Sequence, residues 1–105
     1  MTAETEQPVF DLISEMTAES IERADLDPQT LMLVRFAALV AVQAPPASYV
    51  TNLAVAEDVG VDVERLRSVL LTVAPIVGTP RVVAALGNIA RGLGMVIEAQ
   101  DGDAG

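Results

Sequence analysis

The chain has 105 residues, of which 51% are hydrophobic, and six arginines oppose fifteen acidic residues, giving a formal net charge of −9. This length corresponds to one domain, and the acidic balance excludes nucleic acid and anionic membranes as partners, because phosphate contacts require clustered cations. There is no cysteine, histidine or lysine, which excludes thiol redox chemistry, thiolate metal sites, the usual general base and Schiff-base formation. We therefore expect no metal and no cofactor.

The hydrophobic residues are almost all aliphatic, because only three residues of the chain are aromatic. Such a core lacks bulky anchors, and a domain this small cannot bury all of its apolar side chains internally. The surplus must be covered by another subunit or by a ligand, so we expect an obligate homo-oligomer. The acidic N-terminal end has no apolar signal core, which favours a cytoplasmic location.

The ends of the chain are polar, small or glycine-rich, so we expect flexible segments at residues 1–8 and 98–105 around a single helical domain at 9–97. No strand alternation is evident, and the first predicted helix runs from about Val9 to Ala24. Its apolar stripe is modest, which indicates a helix that covers the core. The side chains predicted to face inward are Phe10, Ile13 and Met16.

A side-chain cap at Asp27, followed by Pro28 at the first helical position, starts the second predicted helix. From Leu31 to Val42 this helix is apolar on every side except at Arg35, so we expect it to be buried all round. Arg35 then requires a charged partner or a wet cavity, because an unpaired charge in the interior is costly.

The stretch from Phe36 to Ala56 carries no charge over a length that could span a bilayer. Pro45-Pro46 interrupts it in the middle, and several of its side chains are polar. We interpret the stretch as two buried segments joined by a corner, and we expect no membrane span.

Three further helices are predicted after this corner. Gly60 ends the first of them as a left-handed stop, and Asp62 caps the next. Gly87, Gly92 and Gly94 weaken the last helix unless a neighbouring backbone packs closely there, and we expect such packing against another helix or subunit. The predicted bounds are about Ala47 to Val59, Val63 to Val73 and Thr79 to Ile97.

Three stretches carry a resemblance to a known family: Leu39–Pro45 closing one helix, the Gly60-Val61 turn, and the run Leu70–Arg81 with its Ala-Pro, Gly and Pro spacing. They resemble the carboxymuconolactone decarboxylase family, which includes the alkyl hydroperoxidase D-like proteins, over about Leu31 to Ala90. The resemblance implies an all-α fold of about five helices that assembles as trimers or hexamers. It also implies sites near the contacts between subunits.

The residues that carry the family's redox chemistry are absent from this chain. Redox members have Cys-x-x-Cys followed by histidine at the start of the third helix, and the positions that correspond here hold Pro45, Ser48 and Asn52. Thiol peroxidase chemistry is therefore excluded. Members of the decarboxylase branch typically carry histidine in this region, where Asn52 stands instead.

Decarboxylation of a carboxymuconolactone requires a cation for the substrate carboxylates, a donor that stabilises the developing enolate, and a proton source. The resemblance therefore leads us to predict two groups of residues. The substrate-binding candidates are Arg35, Tyr49 and Arg81, and the catalytic candidates are Asn52, Glu57 and Thr72.

Each candidate also has a structural interpretation. Arg35 is as well explained by an ion pair at an interface, and Arg81 by a bridge between subunits. Asn52 can be a satisfied polar group near an interface, and Glu57 can face solvent.

Two functional hypotheses follow from these residues. In the first, the protein is a lyase of the decarboxylase type that acts on or binds a small anionic or lactone-like molecule in a subunit-interface pocket. In the second, it is a non-catalytic scaffold or ligand-binding protein that keeps the family fold without the catalytic residues. Under both hypotheses the expected partners are further copies of the chain, as a homotrimer or homohexamer. A small anionic ligand is a further partner unless the protein is a scaffold alone.

Overall fold

The computed structural model describes the backbone of residues 3–104 and the side chains of residues 6–97. Over the described backbone the chain forms five helices and no strand, so the predicted all-α fold is confirmed. The helices are α1 (Ala3–Arg23), α2 (Pro28–Ala41), α3 (Pro46–Asp58), α4 (Val63–Val77) and α5 (Thr79–Ala104).

The predicted helix starts at Asp27 and Asp62 are confirmed by their hydrogen bonds. The Asp27 carboxylate accepts from the Thr30 backbone N–H at 3.0 Å, and the Asp62 carboxylate accepts from the Arg65 N–H at 2.9 Å. Each bond satisfies one of the donors that an α-helix leaves free at its first turn.

Three helix ends differ from the predictions. α1 already begins at Ala3, and α5 continues to Ala104 instead of ending near residue 97. α4 runs through Pro75 and ends at Val77, and the next residue, Gly78, has a φ of 91°. Pro75 has no N–H, so the Leu71 carbonyl, four residues earlier, does not receive its helical hydrogen bond. Leu71 is exposed, so this carbonyl lies on the solvent side of the helix.

α2 and α3 end in the same way, with a residue of positive φ followed by a backbone N–H that donates to the last turn of the helix. Gly60 follows α3 with a φ of 85°, and the Val61 N–H donates to the Ala56 carbonyl at 2.8 Å, which confirms the predicted stop. At the end of α2 the left-handed position is held by Gln43, with a φ of 58°, and the Ala44 N–H donates to the Leu39 carbonyl at 3.0 Å. A side chain at that position stores local strain.

The core lies between α2, α3, α4 and α5, with α3 packed along α5 and α2 along α4. The largest fully buried side chains include Tyr49 and Phe36, whose ring centroids lie 6.1 Å apart. The expectation of a core without bulky anchors is therefore wrong, because two of the three aromatic residues are placed together at its centre.

Gly92 of α5 explains how closely α3 and α5 approach. A Cβ at Gly92 would lie 3.1 Å from the Tyr49 Cβ and 3.2 Å from the Pro46 carbonyl oxygen. The predicted close packing is confirmed at this position. Around Gly87 and Gly94, apart from their own helix turn, no atom of the described residues comes within 4 Å of the added Cβ, so packing among those residues does not account for the two glycines.

α1 is placed apart from this core. Among the described residues, the extensive contacts between helices are all within α2 to α5, and the side chains of Phe10, Ile13 and Met16 are each more than half exposed. The prediction that they face the core is wrong, because α2 to α5 close the core without α1.

α2 is likewise not buried all round within one chain. Val34 is exposed and Arg35 is half-buried, because only one side of α2 faces the other core helices. The apolar stretch around the Pro45-Pro46 corner forms two helices, as predicted. Among the helices described, none combines the length and the apolar character that a membrane crossing requires.

Candidate functional site

A cleft of about 690 Å³ lies between α1 and the corner formed by α2 and α3. Its two walls come from different parts of the fold. The α1 wall consists of Phe10, Ile13, Ser14, Thr17, Ala18 and Ile21. The opposite wall consists of Arg35, Leu39, Ala47, Ser48, Thr51 and Asn52.

Helical spacing places these side chains on the walls. On α1 the positions of Phe10, Thr17 and Ile21 recur at helical spacing and share one face of the helix. On α2 Arg35 and Leu39 are four residues apart, and so lie one above the other on the same side. Asp11, Glu15, Glu19 and Glu22 fall on a different face of α1, and Glu6 lies one turn before Phe10; none of these five residues lines the cleft.

Arg35 is the charged residue of the cleft. It is half-buried, and the other lining side chains are apolar, hydroxyl or amide groups. Among the side chains that the structure describes, the one salt bridge joins Arg23 to Glu19, so Arg35 has no carboxylate partner there. The cleft is thus a positive site on a strongly acidic protein.

Asn52 lies in the same cleft and is partly engaged by its own helix. Its Nδ2 donates to the Ser48 carbonyl at 2.9 Å. An amide group has two N–H donors and a carbonyl acceptor, so one donor and the acceptor are available to a molecule in the cleft. Arg35 and Asn52 are the two predicted site residues that the structure brings together.

Thr72 and Glu57 lie elsewhere on the molecule. Thr72 lines a shallow cleft between α2 and α4, and its hydroxyl donates to the Ser68 carbonyl at 2.7 Å. Glu57 lines a third cleft, beside Asp62 and the end of α5. Neither side chain can therefore act on a molecule held by Arg35 of the same chain.

The two remaining candidates also lie outside the cleft. The Arg81 Nη1 donates to the Ala41 carbonyl at 3.2 Å, which places it at the end of α2. Tyr49 is fully buried, burial raises its pKa above the ordinary value, and its hydroxyl has no hydrogen-bond partner among the described residues. Tyr49 therefore serves the core in this arrangement.

Four hydroxyl residues of the cleft were not predicted, although their spacing could have indicated them. Ser14 and Thr17 are three residues apart on α1, as are Ser48 and Thr51 on α3, so each pair shares one face of its helix. Polar residues that interrupt an apolar stripe could have indicated them. For Ser14 and Thr17 the expectation that α1 packs on the core hides this indication.

The chemistry that this cleft can perform is limited by its residue types. Its described lining contains no carboxylate, and the chain has no histidine, cysteine or lysine to act as an acid or base. No group of three or more potential metal ligands occurs among the described residues. The cleft offers one cation, hydroxyl and amide groups, and apolar walls, which together suit the binding of an organic anion.

Neither a curated protein nor a solved structure matches the chain at a significant level. The model of the carboxymuconolactone decarboxylase family matches residues 7–90, a segment that runs from α1 into α5 and contains every residue of the cleft. This match agrees with the resemblance carried by the stretches Leu39–Pro45, Gly60-Val61 and Leu70–Arg81. The chain therefore belongs to the carboxymuconolactone decarboxylase family.

Proposed function

We propose that the protein binds a small organic anion in the cleft between α1 and the α2–α3 corner, and that it does so without catalysing a reaction. The observation that carries this proposal is Arg35, a half-buried guanidinium in an otherwise uncharged cleft with no carboxylate partner among the described side chains. A guanidinium in a partly apolar site is stabilised by an anion that accepts two parallel hydrogen bonds from it.

The composition of the cleft supports binding over decarboxylation. Decarboxylation needs a group that delivers a proton to the carbon losing carbon dioxide. Glu57, the predicted proton source, lines a different cleft, and the polar side chains that line the cleft with Arg35 are hydroxyl and amide groups. The alternative, a lyase acting on a lactone, would require a partner subunit to supply that group.

We further propose that the chain assembles into a homo-oligomer, a trimer or hexamer as the family resemblance implies. Among the described residues, eighteen large hydrophobic side chains are exposed, and those on α4 and α5 do not line the cleft beside α1. A monomer rarely exposes contiguous apolar surface on this scale, so a second copy is the simplest cover. Light scattering should give a mass of several chains, whereas a folded monomer at low micromolar concentration would contradict assembly.

The binding proposal is tested by titrating the protein with a simple organic carboxylate, such as octanoate, in a calorimeter. We expect saturable binding that Arg35→Gln weakens by about tenfold or more, because the variant keeps hydrogen-bond donors but removes the charge. Arg67→Gln is the matched control, since Arg67 is exposed and lines none of the three clefts. Equal binding by both variants would contradict the role of Arg35.

The absence of catalysis is tested with the family substrate. Incubation with carboxymuconolactone should leave its ultraviolet absorbance unchanged over hours. Turnover that depends on Arg35 would contradict the non-catalytic proposal and favour the lyase. A turnover that also depends on Glu57 would indicate that a second copy completes the site.

A further inference from the structure

The positive charge of the cleft comes from a single residue. The chain has six arginines and no lysine or histidine. Arg65 lines the cleft between α2 and α4, Arg81 donates to the end of α2, and Arg23 pairs with Glu19. Arg67 and Arg91 are exposed and line none of the three clefts. One anionic group of a ligand can therefore be neutralised by this chain, and a second cannot.

The remainder of the cleft is suited to an uncharged, mostly apolar body. Half of the lining residues are apolar, and they come from both walls: Phe10, Ile13, Ala18, Ile21, Leu39 and Ala47. A second carboxylate placed against this surface would lose hydration without gaining a cation, which is unfavourable.

The dimensions of the cleft allow a chain-like ligand. The α1 wall extends from Phe10 to Ile21, which corresponds to about 16 Å along a helix axis. The cleft volume of about 690 Å³ exceeds what a single carboxylate needs. Ser14, Thr17, Ser48 and Thr51 can accommodate a neutral polar group of the ligand, but hydroxyls do not replace a cation.

From these observations, and resting on the anion site proposed above, we propose that the ligand is an amphiphilic monocarboxylate. Its carboxylate is bound by Arg35, with Asn52 as a neutral hydrogen-bonding neighbour, and its apolar body lies against α1. Dicarboxylates of the same length are discriminated against. This selectivity differs from that expected for a carboxymuconolactone, whose carboxylates would need more than one cation.

The proposal is tested with three ligands of equal length on the full chain: octanoate, octanedioate and octanamide. We expect octanoate to bind at least about tenfold more tightly than either of the others. Octanedioate has a second carboxylate that no cation pairs with, and octanamide has no charge for Arg35 to bind. In Arg35→Gln the advantage of octanoate over octanamide should disappear. Thermal unfolding of the variant is measured alongside to establish that it is folded.

A gain-of-function variant keeps the test decisive if Arg35→Gln folds poorly. Thr51 is exposed and lines the cleft, so Thr51→Arg adds a second cation at little structural cost. We expect this variant to bind octanedioate about tenfold more tightly than the parent chain does, with a smaller change for octanoate.

The outcomes separate this inference from the proposed function. Equal binding of octanoate and octanedioate, both lost in Arg35→Gln, would overturn the monocarboxylate selectivity while supporting the anion site. Binding of octanoate and octanamide with equal affinity to the parent chain would overturn both proposals, because it would show that Arg35 does not recognise the charge.

Discussion

The two phenylalanines of the chain differ in burial, and each represents one region of the molecule: the core of α2 to α5, or α1 with the cleft. Phe36 is 1% exposed, at the centre of the core formed by α2 to α5, whereas Phe10 is 57% exposed on α1 and lines the cleft. The core region has the side chains that define the fold. The α1 region has few buried contacts and forms one wall of the candidate site. Helices and loops that move to admit a ligand are usually the weakly packed parts of a protein.

The largest expected effect comes from truncating the two phenylalanines. Phe36→Ala should lower the free energy of unfolding by about 3–5 kcal/mol, because it removes a fully buried ring and leaves a cavity. Phe10→Ala should change it by less than about 1 kcal/mol, because most of that ring is already in solvent. Urea unfolding followed by circular dichroism measures both. Similar losses in the two variants would show that α1 is part of a core, either within the chain or across a subunit contact.

A second comparison uses two glycines of α5. Gly92→Ala should destabilise the protein by about 1–3 kcal/mol, since the added Cβ meets the Tyr49 Cβ and the Pro46 carbonyl. Gly87→Ala should stabilise it by about 1 kcal/mol through helix propensity, as the space around it is open. The same unfolding experiment measures both. A destabilising effect of Gly87→Ala would instead locate a close subunit contact on that side of α5.

The buried hydroxyl of Tyr49 allows a test of the core by pH. Tyr49→Phe should be neutral or stabilising by up to about 1 kcal/mol at pH 7, because the hydroxyl is buried without a partner. Burial raises the pKa of Tyr49 above its ordinary value of 10.0, so the unfolded chain ionises first and the parent protein loses stability as the pH rises above that value.

Tyr49→Phe should remove this part of the alkaline loss. Midpoints of urea unfolding at pH 7 and pH 11 for the parent and the variant test this expectation. A large destabilisation of Tyr49→Phe at pH 7 would mean that the hydroxyl has a partner in the assembled protein and would reopen its predicted role as a ligand contact.

The smallest expected effect is at the corner between α2 and α3. Gln43→Gly should stabilise the protein by about 0.5–1 kcal/mol, because Gln43 has a φ of 58° and glycine adopts that conformation without steric cost. Gly60→Ala is the reciprocal variant and should be destabilising by about 1 kcal/mol for the same reason. A loss of stability in Gln43→Gly would indicate that the glutamine side chain makes contacts across a subunit interface.

Local signals in the sequence were sufficient to predict the core helices. Asp27-Pro28 and Asp62 set two helix starts, and Gly60 set a stop, because each acts through bonds within a few residues. The position of α1 was mispredicted for the opposite reason. Whether Phe10 faces a core depends on how many helices already close that core, which is a property of the whole fold.

The candidate site was predictable only in part, for a related reason. Arg35 was identified because a charge in an apolar helix needs an explanation, and Asn52 because of its place in the family motif. Glu57 and Thr72 carry suitable chemistry, yet helix packing directs them into two other clefts. The spacing of residues along one helix does not determine which side chains of a neighbouring helix line the same cleft.

The proposed anion site, the cleft beside α1 with Arg35, lies apart from the core that stabilises the fold. The most direct test is a nuclear magnetic resonance titration of the ¹⁵N-labelled protein with octanoate. We predict that the backbone signals that shift are those of cleft residues such as Thr17, Arg35 and Asn52, and that Arg35→Gln requires about tenfold or more octanoate for the same shifts without changing the remaining spectrum. Shifts centred on the exposed apolar faces of α4 and α5, and unchanged in Arg35→Gln, would contradict the account.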